Sequence, residues 1–197
     1  MKYFIMLYES KSINDGAILE TYSNLPFPDY MFDKCVSLEE KIFGNIILEM
    51  DKDDPDSRVL YDMVDNIDQL PVVSEQFKEM LQHCDCGNVE FLPISIKNHR
   101  DKIEKEKYYI VNLIDSIDYI DKEKTTIKYS HMNESQIRTV KNLCLKLENI
   151  PENRDLFRAD YYYNRYVVSE DLKNKIDDEE FEGMIFVPIE EFNSVLF

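Results

Sequence analysis

The sequence predicts an α+β fold: a single domain over residues 1–197 with a mixed sheet, a few short helices and an internal strand–helix–strand pseudo-repeat. Three observations predict it. Short segments rich in β-branched and aromatic residues recur along the chain, as is typical of strands. One strand–helix–strand pattern occurs twice. No Gly/Ser tract or proline run separates the two copies, and a chain of this length suits one domain.

The two copies of the repeated pattern span about residues 71–96 and 166–191. Each opens with Val-Val-Ser-Glu and closes with an aromatic residue, an aliphatic residue, proline and isoleucine. Ser74 and Ser169 fit the N-cap of a helix, because a serine hydroxyl can accept from a free backbone N–H one turn on. Neither serine lies in a Gly-x-Ser-x-Gly elbow, so capping is favoured over nucleophilic catalysis. Two generic strand–helix–strand units could also share this pattern by chance.

The chain before the first copy contains two predicted strands, at residues 2–8 and 45–50, where β-branched and aromatic side chains concentrate. A polar loop with an Asp-Gly turn signal covers residues 10–16. Residues 25–29 contain two prolines, which exclude a helix there. Apolar residues at helical spacing in 59–67 predict a helix or an irregular segment.

The chain between the copies contains a predicted strand at residues 108–113 and a further strand or hairpin within 117–129. Residues 134–147 support two interpretations, since their apolar residues fit both a helix and an alternating strand. We favour a strand over 143–148 with a helix before it. Extended chain over 161–168 leads into the second copy.

Charge is the clearest compositional signal. The chain has 23 basic and 40 acidic residues, which gives a formal net charge of −17. Such a surface repels nucleic acid and anionic lipid, so neither is an expected partner. It attracts basic proteins and speeds encounter with them. The same acidity could also serve solubility alone.

The sequence gives an expectation for the compartment as well. Its N-terminal apolar run is too short for a signal peptide, and no segment approaches a membrane span. We therefore expect a cytoplasmic protein without a membrane partner. Four cysteines are then expected as reduced thiols: Cys35, Cys84, Cys86 and Cys144.

The candidate catalytic and metal-binding residues are not spaced as known sites of these kinds require. Residues 83–86 read His-Cys-Asp-Cys, but structural zinc sites usually combine two such ligand pairs. Counted from Asp51 as a calcium loop, the sixth and twelfth positions hold Asp56 and Asp62, where glycine and glutamate are needed. No phosphate loop or dinucleotide fingerprint is present. The sequence predicts no catalytic residue, no cofactor and no metal.

Acidic residues concentrate in two places, the loop after the second predicted strand and the helix-to-strand turn of the second copy. Charge runs of this kind are often only solvated surface, but they can also dock a basic partner. The candidate partner-binding residues are Asp51, Asp53, Asp54, Asp56, Asp177, Asp178, Glu179 and Glu180.

Several segments resemble successive parts of one family. They are residues 71–78, 89–94, 109–118, 155–158, 167–173 and 181–186. The family is the myxobacterial-type immunity-protein family of bacterial polymorphic toxin systems, formerly a domain of unknown function. The resemblance covers roughly residues 50–192, and the first 50 residues match less clearly.

The resemblance implies a cytoplasmic protein that binds and neutralises a cognate toxin in interbacterial competition. It implies no catalytic residues. The net charge agrees with a basic, nuclease-type toxin. Two other hypotheses remain open from the residues themselves: a small metal-dependent hydrolase that uses the acidic loops, and an adaptor domain in a secretion locus. The sequence does not decide the oligomeric state.

Overall fold

The computed structural model describes residues 2–9, 15–131, 134–159 and 161–193, without the side chains of Thr21, Tyr163 and Asn164. Its strands are β1 Tyr3–Tyr8, β2 Ile18–Tyr22, β3 Ile46–Met50, β4 Met63–Asn66, β5 Val72–Ser74, β6 Val89–Lys97, β7 Tyr108–Leu113, β8 Thr126–Tyr129, β9 Ile137–Lys141, β10 Leu156–Ala159, β11 Tyr162–Ser169 and β12 Met184–Pro188. Its α-helices are α1 Glu75–Leu81 and α2 Glu170–Asp178. Short 3-10 segments lie at Asp29–Lys34, Glu39–Lys41, Leu147–Asn149 and Ile189–Glu191.

The strands form a closed barrel, an open sheet and a hairpin. The barrel has the order β2-β3-β6-β7-β5-β4 and closes through a parallel pairing of β2 with β4. The open sheet has the antiparallel order β10-β11-β1-β12, and β8 pairs with β9. Because β3 and β6 are also parallel while other neighbours are antiparallel, the predicted α+β fold with a mixed sheet is confirmed.

The repeated pattern is present in three dimensions, and it includes a strand that the sequence comparison does not reveal. In the first copy, β5 and β6 both pair with β7, so that Val73 and Pro93 flank Tyr109. In the second copy, β11 and β12 both pair with β1, so that Val168 and Pro188 flank Phe4. The central strand follows the first copy along the chain but precedes the second.

Each copy also has a fourth strand in an equivalent position. β4 pairs with β5, which sets Met63 opposite Val73. β10 pairs with β11, which sets Leu156 opposite Val168. The two equivalent sheets are therefore β4-β5-β7-β6 and β10-β11-β1-β12. The first of them closes into the barrel because β2 and β3 bridge its edges.

The two predicted helix caps are confirmed. The Ser74 hydroxyl accepts from the Phe77 backbone N–H at 3.2 Å, where α1 begins. The Ser169 hydroxyl accepts from the Leu172 N–H at 3.0 Å, where α2 begins. Each serine has an extended backbone, as an N-cap residue requires.

Two aspartates connect the copies reciprocally. The Ser74 hydroxyl donates to Asp62 Oδ1 at 2.7 Å, and Asp62 Oδ2 accepts from the Glu182 N–H at 3.2 Å, in the turn of the second copy. The Ser169 hydroxyl donates to Asp155 Oδ1 at 2.6 Å. Asp155 Oδ2 accepts from the N–H of Asp85 at 3.0 Å, in the turn of the first copy. Each carboxylate thus ties the helix start of one copy to the turn of the other.

The buried side chains form three clusters. One fills the barrel, and another lies between the open sheet and the β8–β9 hairpin. The third is shared by the two copies and includes Phe77 and Leu81 from α1 with Leu172 and Ile176 from α2. Because the helices bury their apolar faces in a common cluster, the two copies depend on each other for burial.

Two predicted elements are wrong. Residues 59–67 contain the strand β4 rather than a helix. Both faces of β4 are covered, since Val64 packs in the barrel cluster and Met63 packs in the cluster shared by the two copies, so the apolar residues do not alternate with polar ones. Residues 143–148 hold only an isolated bridge at Leu145 and the start of a 3-10 segment, whereas β9 precedes them. A register shift lies opposite β9, and Ile137 and Val140 are both buried. These two residues are three positions apart, which is also the spacing of buried residues in a helix.

Residues 10–14 of the predicted Asp-Gly loop lie outside the described residues; Gly16 makes a parallel bridge with Val59. Among the described residues, the helices are all too short or too polar to cross a membrane.

Substitution of Gly183 tests the contact between the copies. Gly183 has φ +96°, and an added Cβ would lie 2.1 Å from the Met63 carbonyl oxygen. Gly44 has φ +118° but open space around it, so Gly44→Ala is the matched control for backbone strain alone. We expect Gly44→Ala to cost about 1–2 kcal/mol and Gly183→Ala a further ~1–3 kcal/mol, measured by urea unfolding. Equal losses would contradict this close approach.

Substitution of the bridging aspartates tests the reciprocal connection. Asp155→Ala and Asp62→Ala each remove one hydrogen bond to a cap hydroxyl and one from a turn N–H, so each should cost about 2–4 kcal/mol in free energy of unfolding. Asp178→Ala, at an exposed position of α2, should change it by less than about 0.5 kcal/mol. Denaturant midpoints that match those of Asp178→Ala would refute the bridging role.

Candidate functional site

The predicted acidic loop lies between β3 and β4, and its carboxylates shape the turn. Asp51 Oδ1 accepts from the Asp53 N–H at 2.7 Å. Asp54 Oδ2 accepts from the Ser57 hydroxyl at 2.6 Å. Asp56 is exposed and pairs with Arg58 at 3.8 Å. The loop is therefore held by its own side chains, and it presents Asp53 and Asp56 to solvent.

The second predicted set lies at the end of α2. Asp177, Asp178, Glu179 and Glu180 are all exposed, and Asp177 forms an ion pair with Lys173 one turn earlier.

The two acidic sets have different neighbours. The backbone oxygen of Asp51 is 2.8 Å from His99 Nε2, whereas Lys175 near the other set reaches Cys84 Sγ at 3.6 Å. These contacts attach the loop to the segment after β6 and the turn to the end of α1.

A third acidic feature lies between the 3-10 segment Asp29–Lys34 and the loop that joins β4 to β5. We call it the acidic groove. It measures about 700 Å³ including its open mouth. Its lining residues are Asp29, Tyr30, Phe32, Asp33, Ile67, Asp68 and Gln69.

The carboxylates of the groove differ from several others in their ion pairing. Elsewhere acidic side chains pair with lysines, as in Asp121 with Lys124 at 2.8 Å. Among the described residues, Asp29, Asp33 and Asp68 have no lysine, arginine or histidine nitrogen within 4.0 Å. The groove therefore presents three carboxylates that are not engaged in an ion pair within the described part of the chain.

Partial burial raises the pKa of Asp33 to about 6. The buried Arg158 guanidinium and Lys34 oppose this shift but do not cancel it. Burial disfavours a charged carboxylate unless a cation or several donors compensate it. Asp33 therefore carries an electrostatic cost that a cation placed beside it would offset.

Strand β11 lies behind the groove and fixes its walls. Arg165 Nη1 donates to Gln69 Oε1 at 2.6 Å, which holds the loop between β4 and β5. Tyr166 is 3% exposed and interacts electrostatically with Asp33. Tyr22 stacks on Phe32, with ring centroids 6.1 Å apart, and adjoins Asp68.

The mouth of the groove is flanked by two exposed apolar side chains. Tyr30 is 55% exposed on one side, and Ile67 is 60% exposed on the other. Large exposed apolar side chains beside charged groups are typical of binding surfaces. Sequence reasoning missed the groove because its walls come from segments more than thirty positions apart; the only available signal was Asp68 in an acidic stretch.

The cysteine cluster offers little reactivity. Burial raises the pKa of the Cys86 thiol to about 12 and that of Cys84 above its ordinary value. Both thiols are therefore protonated at neutral pH, and a thiol is a poor nucleophile and metal ligand. Across the described residues, no group of three or more His, Cys, Asp or Glu side chains is placed to hold a metal ion.

The fold and the groove together define an acidic α+β protein whose surface offers carboxylates and apolar side chains to a partner. The chain belongs to the Immunity protein family (Imm11), whose sequence model matches residues 24–191. The resemblance noted in the sequence is thereby confirmed, and it begins earlier than residue 50, so that it includes the 3-10 wall of the groove. The search of curated proteins finds no match.

The pKa of Asp33 predicts a pH-dependent gain from Asp33→Asn. A raised pKa means that the folded protein binds this proton more tightly than the unfolded chain, whose value is near 3.8. Stability from the protonated group is therefore present at low pH and lost as the pH rises from about 4 to about 6. Asp33→Asn should raise the thermal midpoint more at pH 8 than at pH 5.

Asp53→Asn, in the exposed acidic loop, is the matched control, and its midpoint should follow the wild type at both pH values. A midpoint for Asp33→Asn below that of the wild type at pH 8 would show that the Asp33 carboxylate stabilises the fold instead.

Proposed function

We propose that this protein neutralises a cognate bacterial toxin by binding it tightly, in competition between bacteria. Membership of the Immunity protein family is the observation that carries the proposal. The protein acts as a stoichiometric inhibitor in the cytoplasm of the cell that makes it, and its mechanism requires a surface rather than a catalytic centre. Residues 1–197 act as one domain, which the cluster shared by the two copies supports.

Charge supports a basic toxin, such as a nuclease. A net charge of −17 repels nucleic acid itself but attracts a protein that binds nucleic acid. Exposed carboxylates outside a desolvated centre mainly raise the association rate, because they act at long range. We assign this steering role to the two predicted acidic sets, the loop at Asp51–Asp56 and the turn at Asp177–Glu180.

The alternatives receive less support. A metal-dependent hydrolase would need a ligand cluster, and none of three or more members occurs within the described residues. An adaptor domain in a secretion locus would bind a structural component rather than a toxin. Metal analysis of the purified protein tests the hydrolase, and binding to the protein encoded beside this chain separates the toxin inhibitor from the adaptor.

Co-expression with the toxin encoded by the neighbouring gene tests the proposal. We expect a one-to-one complex in size-exclusion chromatography and restored growth of cells that express the toxin. Because steering between exposed charges is screened, the association rate should fall steeply between 50 and 500 mM salt, on the order of tenfold or more. Failure of any neighbouring toxin to bind or to be neutralised would overturn the proposal.

Variants in which the carboxylates of one acidic set are replaced by amides test the steering role of that set. With Asp51, Asp53, Asp54 and Asp56 changed to asparagine, association should slow and lose part of its salt dependence, while dissociation stays unchanged. The same outcome is expected when Asp177, Asp178, Glu179 and Glu180 become amides. Stopped-flow measurements separate the two rates, and unchanged association in both variants would show that these residues do not steer the toxin.

A further inference from the structure

We propose that the acidic groove seats an arginine side chain, flanked by apolar residues, that the partner toxin presents on its surface. This inference rests on the proposed function and adds the location and chemistry of the central contact. The groove would then supply the tight part of the interface, while the two acidic sets supply the steering.

Three carboxylates of the groove lie together. Asp29, Asp33 and Asp68 line one groove without a counterion within 4.0 Å among the described residues, although the chain has 23 basic residues available. The candidate clusters found from sequence differ, since Asp53, Asp56 and the residues from Asp177 to Glu180 are exposed, and Asp56 and Asp177 already form ion pairs. Asp33 and Asp68 are half-buried and form no ion pair with the residues that the structure describes, and such carboxylates gain more from an external cation than exposed or paired ones do.

Two tyrosine hydroxyls stand behind these carboxylates. The hydroxyl oxygens of Tyr22 and Tyr166 are shielded from water. Tyr22 interacts with Asp68, and Tyr166 interacts with Arg158 and with Asp33. A charge contact beside groups that are shielded from water is stronger than one in bulk solvent. A hydroxyl oxygen can accept from a guanidinium N–H.

The groove also has an apolar border. Tyr30 and Ile67 stand on opposite walls and are both more than half exposed. A guanidinium plane stacks on an aromatic ring, and the methylene stem of arginine packs against aliphatic side chains. Arginine, tyrosine and apolar neighbours that exclude water form the usual centre of a tight protein interface.

Arginine fits these features better than other occupants. Its five N–H donors lie in one plane and can reach several oxygens at once, whereas lysine presents a compact ammonium. A second copy of this chain would bring another strongly negative surface to the groove and is disfavoured by charge. Burial raises the pKa of Asp33, and a guanidinium beside it would offset that cost.

The experiment uses the complete chain and the toxin encoded by the neighbouring gene. Dissociation constants are measured by calorimetry for the wild type, for the double variant Asp33→Asn/Asp68→Asn and for Tyr30→Ala. The double variant should bind at least about 30-fold more weakly, through faster dissociation, because a desolvated charge contact is lost. Thermal unfolding confirms that each variant is folded.

The matched control is the double variant Asp53→Asn/Asp56→Asn, which removes the same number of charges from the exposed acidic loop. It should weaken binding by less than about threefold, through slower association. If the groove variants bind the toxin as tightly as this control does, the inference is wrong while the proposed function stands.

A probe without the toxin keeps the inference testable if the wild type does not bind the toxin. The capped peptide Ac-Ala-Arg-Ala-NH2 is titrated into isotope-labelled wild-type protein, with Ac-Ala-Gln-Ala-NH2 as the uncharged control. We expect saturable shifts in the amide resonances of Asp33 and Asp68 with the arginine peptide alone, lost in Asp33→Asn/Asp68→Asn. Shifts that are absent from the groove, or that are equal for both peptides, would overturn the inference.

Discussion

The structure depends on a carboxylate shared between a helix start and a distant turn. Asp62 and Asp155 each accept from the serine hydroxyl that caps a helix and from a backbone N–H of the opposite copy. The serine hydroxyl accepts from the helix and donates to the carboxylate at once, so the helix start and the aspartate fix each other. Because the connection is reciprocal, displacing either copy disturbs both helix starts.

This constraint also builds the acidic groove. Strand β4 begins directly after Asp62, and the loop that follows it forms one wall. The other copy holds that wall in place, since Arg165 of β11 binds Gln69. The 3-10 segment that forms the opposite wall carries Asp33 against Tyr166 of the same strand. The groove thus lies where the two copies meet, although none of its lining residues belongs to the repeated pattern.

Local patterns were predictable from the sequence, and pairings between distant segments were not. The sequence predicts Ser74 and Ser169 as helix caps because a cap depends only on residues within one turn of the helix. The central strands β1 and β7 occur on opposite sides of their copies along the chain, so no constant spacing relates them. The apolar residues of β4 and β9 mimic helical spacing because both faces of β4 are covered and because a register shift lies opposite β9. The groove is not predictable in this way, because the number of aspartates in a segment does not show which carboxylates form ion pairs in the folded protein.

The position of β1 has a consequence for the order of events during synthesis. Strands β5, β6 and β7 of the first copy leave the ribosome close together, so their sheet can form early. Tyr3 pairs with Ser169, and Phe4 pairs with Pro188. Strand β1, which is synthesised first, therefore cannot pair until β11 and β12 have been synthesised. Such distant pairing slows folding and leaves a strand edge exposed meanwhile. The aspartate connections between the copies can close only when the second helix and its turn have been made.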